Sequence, residues 1–181
     1  AFNIELSKIL KDINTVDITS EYSLFYEKNL LAEKKDVKLT FNNKIIHQSK
    51  LLKHFIEDKE IKKTQKETND FLKKIRKNKK YYFTTKDIIL LESLKSDGIE
   101  IEEKNQELYE TIDPDIPYDI QIMINNRETG LFLLRLVEII GEDKLIDLGT
   151  ETLYFIVIAL NQLNLDTLRD KILLKVLPLK V

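Results

Sequence analysis

The segment from Arg127 to Asp166 is the most apolar part of this chain, and it limits what the chain can fold into. Its longest uninterrupted apolar run is LYFIVIAL. This run is much shorter than the roughly 20 residues with which a helix crosses a bilayer. We therefore predict no membrane span, and we expect the segment to form helices that neighbouring elements bury.

Capping residues and a glycine divide the C-terminal part of the chain into short helices. Gly141 follows the second of these helices, and Thr150 and Asp166 are predicted to cap the third and the fourth. The predicted helices run from Asp119 to Asn126, from Glu128 to Ile140, from Thr150 to Leu163 and from Asp166 to about Pro178. Helices that are apolar nearly all round, as the two central ones are, must be buried on several sides.

The second predicted helix carries an apolar stripe, formed by Leu131, Leu134, Leu136 and Val137. We interpret this stripe as core. Replacement of Leu134 or Phe155 by Asp is then expected to unfold the C-terminal half. The alternative is a groove for a partner helix, because a helical array that is cut short exposes one hydrophobic face.

The strand signal of the chain lies between residues 37 and 46. The run VKLTFNNKII alternates apolar and polar residues as far as Asn42 and Asn43, after which apolar residues resume. Asparagine tolerates the positive φ angles of a tight hairpin turn. We therefore predict a short β-hairpin near Val37 to Ile46, between amphipathic helices.

A capping box is predicted further along the chain, where Thr84 is followed three residues later by Asp87. The helix that it opens should run through Leu94 and stop at Gly98. From Ser49 to Lys80 the pattern is also helical, and strongly charged. The sequence thus predicts a mainly α protein: a helical-repeat-like bundle with one short β-hairpin in its N-terminal half.

A boundary is predicted near residue 113, where two prolines interrupt an acidic stretch. Residues 1–112 should form a charged helical region with the hairpin near 37–46, and residues 113–181 a compact apolar helical array. Stacked pairs of short helices such as these are the building blocks of α-solenoids. The layout of residues 115–181 resembles these helical-repeat scaffold proteins in architecture. The resemblance implies stacked helices and carries over no functional residue, because the Trp-containing tetratricopeptide motif is not present.

Several kinds of chemistry are excluded or disfavoured by residue content. The chain has no cysteine, which excludes thiolate catalysis and Cys-ligated zinc, and none of its four glycines lies in a phosphate-binding loop or a nucleophile elbow. His47 and His54 are seven residues apart, a poor spacing for metal binding. We expect His47 to end the hairpin and His54 to lie on the polar side of its helix. We predict no catalytic, cofactor or metal site.

The segment KKIRKNKKYYF combines cations with aromatic rings, as single-strand nucleic-acid binders do. The candidate surface consists of Lys73, Lys74, Arg76, Lys77, Lys79, Lys80, Tyr81 and Tyr82. Residues 97–119 are strongly acidic, so the two segments nearly cancel in charge. A basic helix beside an acidic linker is the plainer interpretation of this pattern.

These observations favour a non-enzymatic protein-interaction or scaffold module whose partner is another protein. Nucleic-acid binding through residues 73–83 is the alternative, although the net charge of −2 gives no overall attraction to nucleic acid. Ala at the first position is typical of a chain after signal removal, which favours an exported or periplasmic protein, with a cytoplasmic fragment as the other expectation. The pattern predicts no oligomeric state.

Overall fold

The computed structural model of the protein describes residues 39–56, 60–108, 116–141 and 143–178. Apart from Leu39, these residues belong to the compact unit Thr40–Val181. Two 3-10 helices come first, Ile46–Gln48 and Lys50–Phe55. The α-helices after them are α1 (Ile61–Lys77), α2 (Thr85–Ser96), α3 (Glu103–Gln106), α4 (Tyr118–Asn125), α5 (Thr129–Ile140), α6 (Thr150–Gln162) and α7 (Asp166–Val176). The prediction of a mainly α protein is confirmed over these residues.

The core is centred on α2 and α6, which pack against each other more extensively than any other pair of described elements. Leu90 and Leu91 of α2 and Ile156 and Val157 of α6 are fully buried. Helix α7 and the first 3-10 helix cover the flanks of this pair, and the second 3-10 helix lies between α7 and α1. Helix α4 packs against α5, and both contribute buried residues to the same cluster.

The start and end of α2 agree with the sequence pattern. The Thr84 hydroxyl accepts from the Asp87 N–H (3.3 Å), and the Asp87 carboxylate accepts from the Thr84 N–H (2.8 Å), which completes the predicted capping box. The helix ends before Gly98, whose φ of 88° is easily adopted only by glycine. Helices α4 to α7 lie within one or two residues of their predicted bounds. Thr150 and Asp166 are the first residues of their helices rather than their caps.

The connections within α4–α5 and within α6–α7 have the same geometry. Each has one non-glycine residue with positive φ, Arg127 (56°) and Asn164 (55°), and these residues are 37 positions apart. In each, the next N–H donates to a carbonyl five residues earlier, as in a Schellman motif. These bonds join Glu128 to Met123 (2.8 Å) and Leu165 to Leu160 (2.9 Å). The two connections, 37 residues apart, therefore share one turn geometry.

The predicted β-hairpin near Val37 to Ile46 is wrong, since the described part of the chain contains no strand. The Asn42 side chain accepts from the Lys44 N–H (3.1 Å) and its backbone N–H donates to the Gln48 carbonyl (2.9 Å), which closes a compact loop. Asparagine thus serves as a turn former here, but it leads into a 3-10 helix instead of a return strand. Ile46 is buried there.

Parts of the predicted organisation lie outside the described residues, namely Val37, Lys38 and the helical region that precedes them. The division near residue 113 stays a prediction. No helix within the described ranges is both long enough and apolar enough to span a membrane.

Candidate interaction surfaces

The predicted basic residues lie on the last turns of α1 and in the turn after it. Their side chains are all exposed, which agrees with a charged surface. They comprise Lys73, Lys74, Arg76 and Lys77 on the helix and Lys79 and Lys80 beyond it. At 100° per residue these cations point in several directions around the helix axis, so that they do not form one stripe.

The two tyrosines of this segment differ in their surroundings. The Tyr81 hydroxyl accepts from the Ile46 N–H (3.0 Å), and its ring packs edge-on against Phe83 with centroids 5.3 Å apart. Burial and the nearby charge of Asp87 raise the pKa of Tyr81 far above its usual value. Tyr82 is 84% exposed. Of the predicted aromatic pair, therefore, Tyr82 presents its ring to solvent, whereas Tyr81 stabilises the fold.

The cations of the basic segment also have different neighbours. The Lys104 ammonium lowers the pKa of Glu102 by hydrogen bonding, and the charges of Lys73 and Arg76 lower it further. Lys74 instead lines a groove of about 300 Å³ between α1 and the second 3-10 helix, beside Asp70. Part of the basic segment thus lies close to the acidic stretch, as the plainer interpretation of the charge pattern expects.

A second exposed feature is apolar and lies on the hairpin of α4 and α5. We call it the α4–α5 apolar surface, and it consists of Tyr118, Ile122, Leu131, Leu134 and Val137. Leu134 and Val137 are each 66% exposed, whereas Phe132 and Leu136 of the same helix are buried. Helical spacing puts these two buried residues opposite Leu134. The prediction that the whole stripe is core is therefore wrong, except for Leu136.

Charged residues beside this surface form ion pairs within the chain. The Arg135 guanidinium donates to Asp119 of α4 and to Glu138 of α5, each at 2.9 Å. The hydrogen bond to Glu138 and the charge of Asp119 raise the pKa of Arg135. This exposed ion-pair cluster links the two helices and gives the surface no strong charge of either sign.

A buried polar network joins α7 to the end of α2. The Arg169 side chain is fully buried, and it donates to Asp97 (2.8 Å) and Asp170 (2.7 Å) through Nη2. It also donates to Asp166 (3.0 Å), and its guanidinium lies 5.7 Å from the centroid of the Phe55 ring. Burial alone would lower the pKa of Arg169, but the hydrogen bonds to Asp170 and Asp97 outweigh burial and raise it. The network fixes α7 in place.

Both histidines are buried against carboxylates. His54 Nε2 lies 3.0 Å from Asp97, and its Nδ1 lies 3.0 Å from the Thr64 hydroxyl. His47 Nδ1 lies 2.6 Å from Asp87. The expectation that His54 lies on the polar side of its helix is wrong, because a 3-10 helix turns it inward. Across the described residues, no three His, Asp or Glu side chains are arranged so that they could hold a metal ion.

The carboxylate of Asp87 serves two partners at once. Burial would raise its pKa, but the hydrogen bonds from the His47 side chain and from the Thr84 N–H outweigh burial and lower it. The sequence indicated only its capping role. The contacts of His47 with Asp87, and of His54 and Arg169 with Asp97, left no local signal, because the residues that they join are more than 30 positions apart in the chain.

Comparison with protein-family models, curated proteins and solved structures gives no match to this chain. Its function is therefore inferred from its own surfaces.

Proposed function

We propose that this protein is a non-enzymatic protein-interaction module built from stacked helices, and that its partner binds the α4–α5 apolar surface. The observation that carries the proposal is the exposure of this surface. Together these five residues expose an area on the order of 600 Å², comparable with the largest apolar patch of a typical monomeric protein. Such patches are often functional.

The recurrence of the helical hairpin supports a helical-repeat-like arrangement. Tyr118 and Ile122 of α4 correspond, 37 positions on, to Phe155 and Ala159 of α6. The latter two are buried, whereas Tyr118 and Ile122 are exposed. In an array of stacked hairpins each unit buries its apolar face against a neighbour. The α4–α5 hairpin therefore offers the kind of face that the α6–α7 hairpin has covered.

The test is affinity capture with the full chain from an extract of the source cells, at low and moderate salt and after nuclease treatment. The Leu134→Asp variant removes the apolar centre of the surface. Lys171→Asp is its matched control, because Lys171 occupies the corresponding exposed position of α7. We expect a small set of proteins to be retained by the wild type and by Lys171→Asp and lost with Leu134→Asp.

Purified protein from that set should then bind the wild type directly in calorimetry. Capture that is the same for the wild type and Leu134→Asp would contradict the proposal. It would show that whatever binds does so elsewhere.

Nucleic-acid binding is the second candidate, and the exposure of Tyr82 among lysines is the observation that favours it. An exposed ring beside cations can stack on an unpaired base while the cations contact phosphates. If this candidate holds, affinity for a single-stranded oligonucleotide falls steeply between about 50 and 200 mM salt. It also falls in the Tyr82→Ala variant. Weak binding that Tyr82→Ala leaves unchanged would exclude a stacking role.

A further inference from the structure

Helix α5 has two apolar faces, and only one of them is buried within the described part of the chain. Phe132 and Leu136 are buried on the inner face. On the outer face, Gly130, Leu134 and Val137 succeed one another at steps of four and three residues, and Gly141 follows four residues later, directly after the end of the helix. This spacing is the heptad seam along which two helices pack in a coiled coil. The outer face of α5 therefore has the pattern of a helix-pairing surface.

We infer that the partner of the α4–α5 apolar surface is a second copy of this chain, with the two α5 helices packed antiparallel. The inference rests on the proposed function, and it names the partner. The order of residues along the seam is small, large, large, small in either direction. A two-fold axis across the middle of α5 thus places Leu134 against Val137 of the second copy and Gly130 against its Gly141. The surface is complementary to itself, as an isologous dimer requires.

Gly130 is a second observation that points to a close neighbour. It lies in the first turn of α5, where a glycine weakens a helix relative to alanine. Among the described residues, a Cβ atom at this position would meet no atom within 4 Å. Nothing within the described fold thus requires a glycine there. A second helix packed closely along the seam would require a glycine, since small residues let two helix backbones approach.

The charges and the area of the surface fit a second copy better than a charged partner. Arg135 is paired within the chain with Asp119 and Glu138, and the cluster keeps a net charge of only −1, so the repulsion between two copies is small and no strongly acidic or basic partner is selected. An area on the order of 600 Å² from each copy totals about 1,200 Å², the lower end of specific interfaces. Tyr118 and Ile122 widen the contact into a four-helix arrangement. A dimer of this size should be reversible.

Sedimentation velocity of the full chain, from about 1 to about 100 μM, tests the inference. We expect the wild type to shift from the mass of one chain to that of two. Leu134→Asp should weaken the dimer at least about 100-fold, because the contact would bury a carboxylate without a partner. The far-ultraviolet circular dichroism of this variant should not change. Val137→Asp should act in the same way, and Lys171→Asp should not.

The Gly130→Ala variant distinguishes a role of Gly130 in the interface from a role in folding alone. Alanine should raise the denaturation midpoint of the monomer, because it favours the helix. It should also weaken the dimer about tenfold, because its methyl group separates the two helices. A more stable monomer combined with a weaker dimer would place Gly130 in the interface.

A wild type that stays monomeric at the highest concentration would overturn the inference, as would a Leu134→Asp variant that dimerises equally well. A monomer whose capture of another protein is lost with Leu134→Asp would leave the proposed function standing and replace the second copy by that protein. A monomeric wild type whose capture of other proteins does not depend on Leu134 would contradict both the inference and the proposed function.

Discussion

Helices α5 and α6 have almost the same apolar character, yet the fold treats them differently. Helix α6 is buried on nearly every side, with seven buried residues from Leu153 to Leu160. Helix α5 buries Phe132 and Leu136 and leaves Leu131, Leu134 and Val137 exposed. Apolar content therefore does not distinguish a core helix from a helix with an exposed apolar face. What distinguishes them is how many neighbours each helix has.

The position of each helix explains the difference. Helix α6 packs against α2 and α7, and Leu160 and Ile156 are fully buried there. Helix α5 has α4 as its principal helical neighbour among the described elements. One neighbour covers one face, so the opposite face of α5 stays accessible.

The largest expected effect is that of Phe155→Asp in α6. A carboxylate at this buried position would have no partner, and the loss of stability should exceed about 4 kcal/mol. We expect circular dichroism to show an unfolded or severely destabilised chain. Leu134→Asp, the same change in α5, is the control and should leave the fold intact. If both variants unfolded, the contrast between the two helices would be wrong.

Arg169→Met tests whether the polar network holds α7 against the end of α2. Removal of the guanidinium takes the buried positive charge away from Asp97 and Asp170, which should cost about 3–5 kcal/mol. Urea denaturation at neutral pH measures this loss. Lys171→Met, an exposed change on the same helix, should have little effect. A loss below about 1 kcal/mol for Arg169→Met would contradict a stabilising role for the network.

Leu136→Ala and Leu134→Ala compare the two faces of α5 with one chemical change. Leu136 is 4% exposed, and its truncation should cost about 2–4 kcal/mol through lost burial and a cavity. Leu134→Ala should change the free energy of unfolding of the monomer by less than about 0.5 kcal/mol. Denaturant titrations at low protein concentration give both values. Equal losses would mean that the outer face of α5 is also core.

Asp87→Asn tests the contacts that hold the start of α2. The substitution weakens the capping box and the contact with His47, and we expect a loss of about 1–3 kcal/mol at pH 7. Because the folded-state pKa of Asp87 is lowered, its contribution is complete above the unfolded pKa of about 3.9 and is lost as pH falls through the folded value. The difference in the free energy of unfolding between the wild type and Asp87→Asn should therefore become smaller in acid. A difference that is the same at pH 7 and pH 3 would contradict this.

The smallest expected effect is that of Lys73→Glu combined with Lys77→Glu on α1. Both side chains are exposed, so the free energy of unfolding should change by less than about 0.5 kcal/mol. Thermal unfolding measures the change, with Leu136→Ala as a positive control. A large loss would show that these cations stabilise the fold and are not free to form a binding surface.

Local signals in the sequence predicted local structure well. The Thr84 capping box, the stop at Gly98 and the bounds of α4 to α7 depend on contacts between residues a few positions apart. The β-hairpin failed because two adjacent asparagines specify a turn without specifying whether a strand or a helix comes after it. The 3-10 helix at that point is held by Tyr81 and Asp87, which bind the backbone of residues 46 and 47 from far along the chain.

The candidate sites were predicted only in part, for a related reason. The exposure of the basic segment follows from its charge, but the division between a structural Tyr81 and an exposed Tyr82 depends on the distant Ile46. The apolar stripe on α5 was recognisable in the sequence. The sequence also allowed the alternative that this stripe is a groove for a partner helix. Which interpretation applies to each leucine depends on which side of α5 has neighbours.

The sequence by itself determined the helical class, the places where most of the helices begin and end, and the charged character of α1. These properties follow from periodicity, capping and composition, which act over one or two helical turns. Only the tertiary structure decided that His54 and Arg169 are buried with Asp97 and that Leu134 faces outward while Leu136 faces inward. The physical reason is that burial is a property of packed neighbours, and the identity of those neighbours is set by contacts between residues distant in the chain.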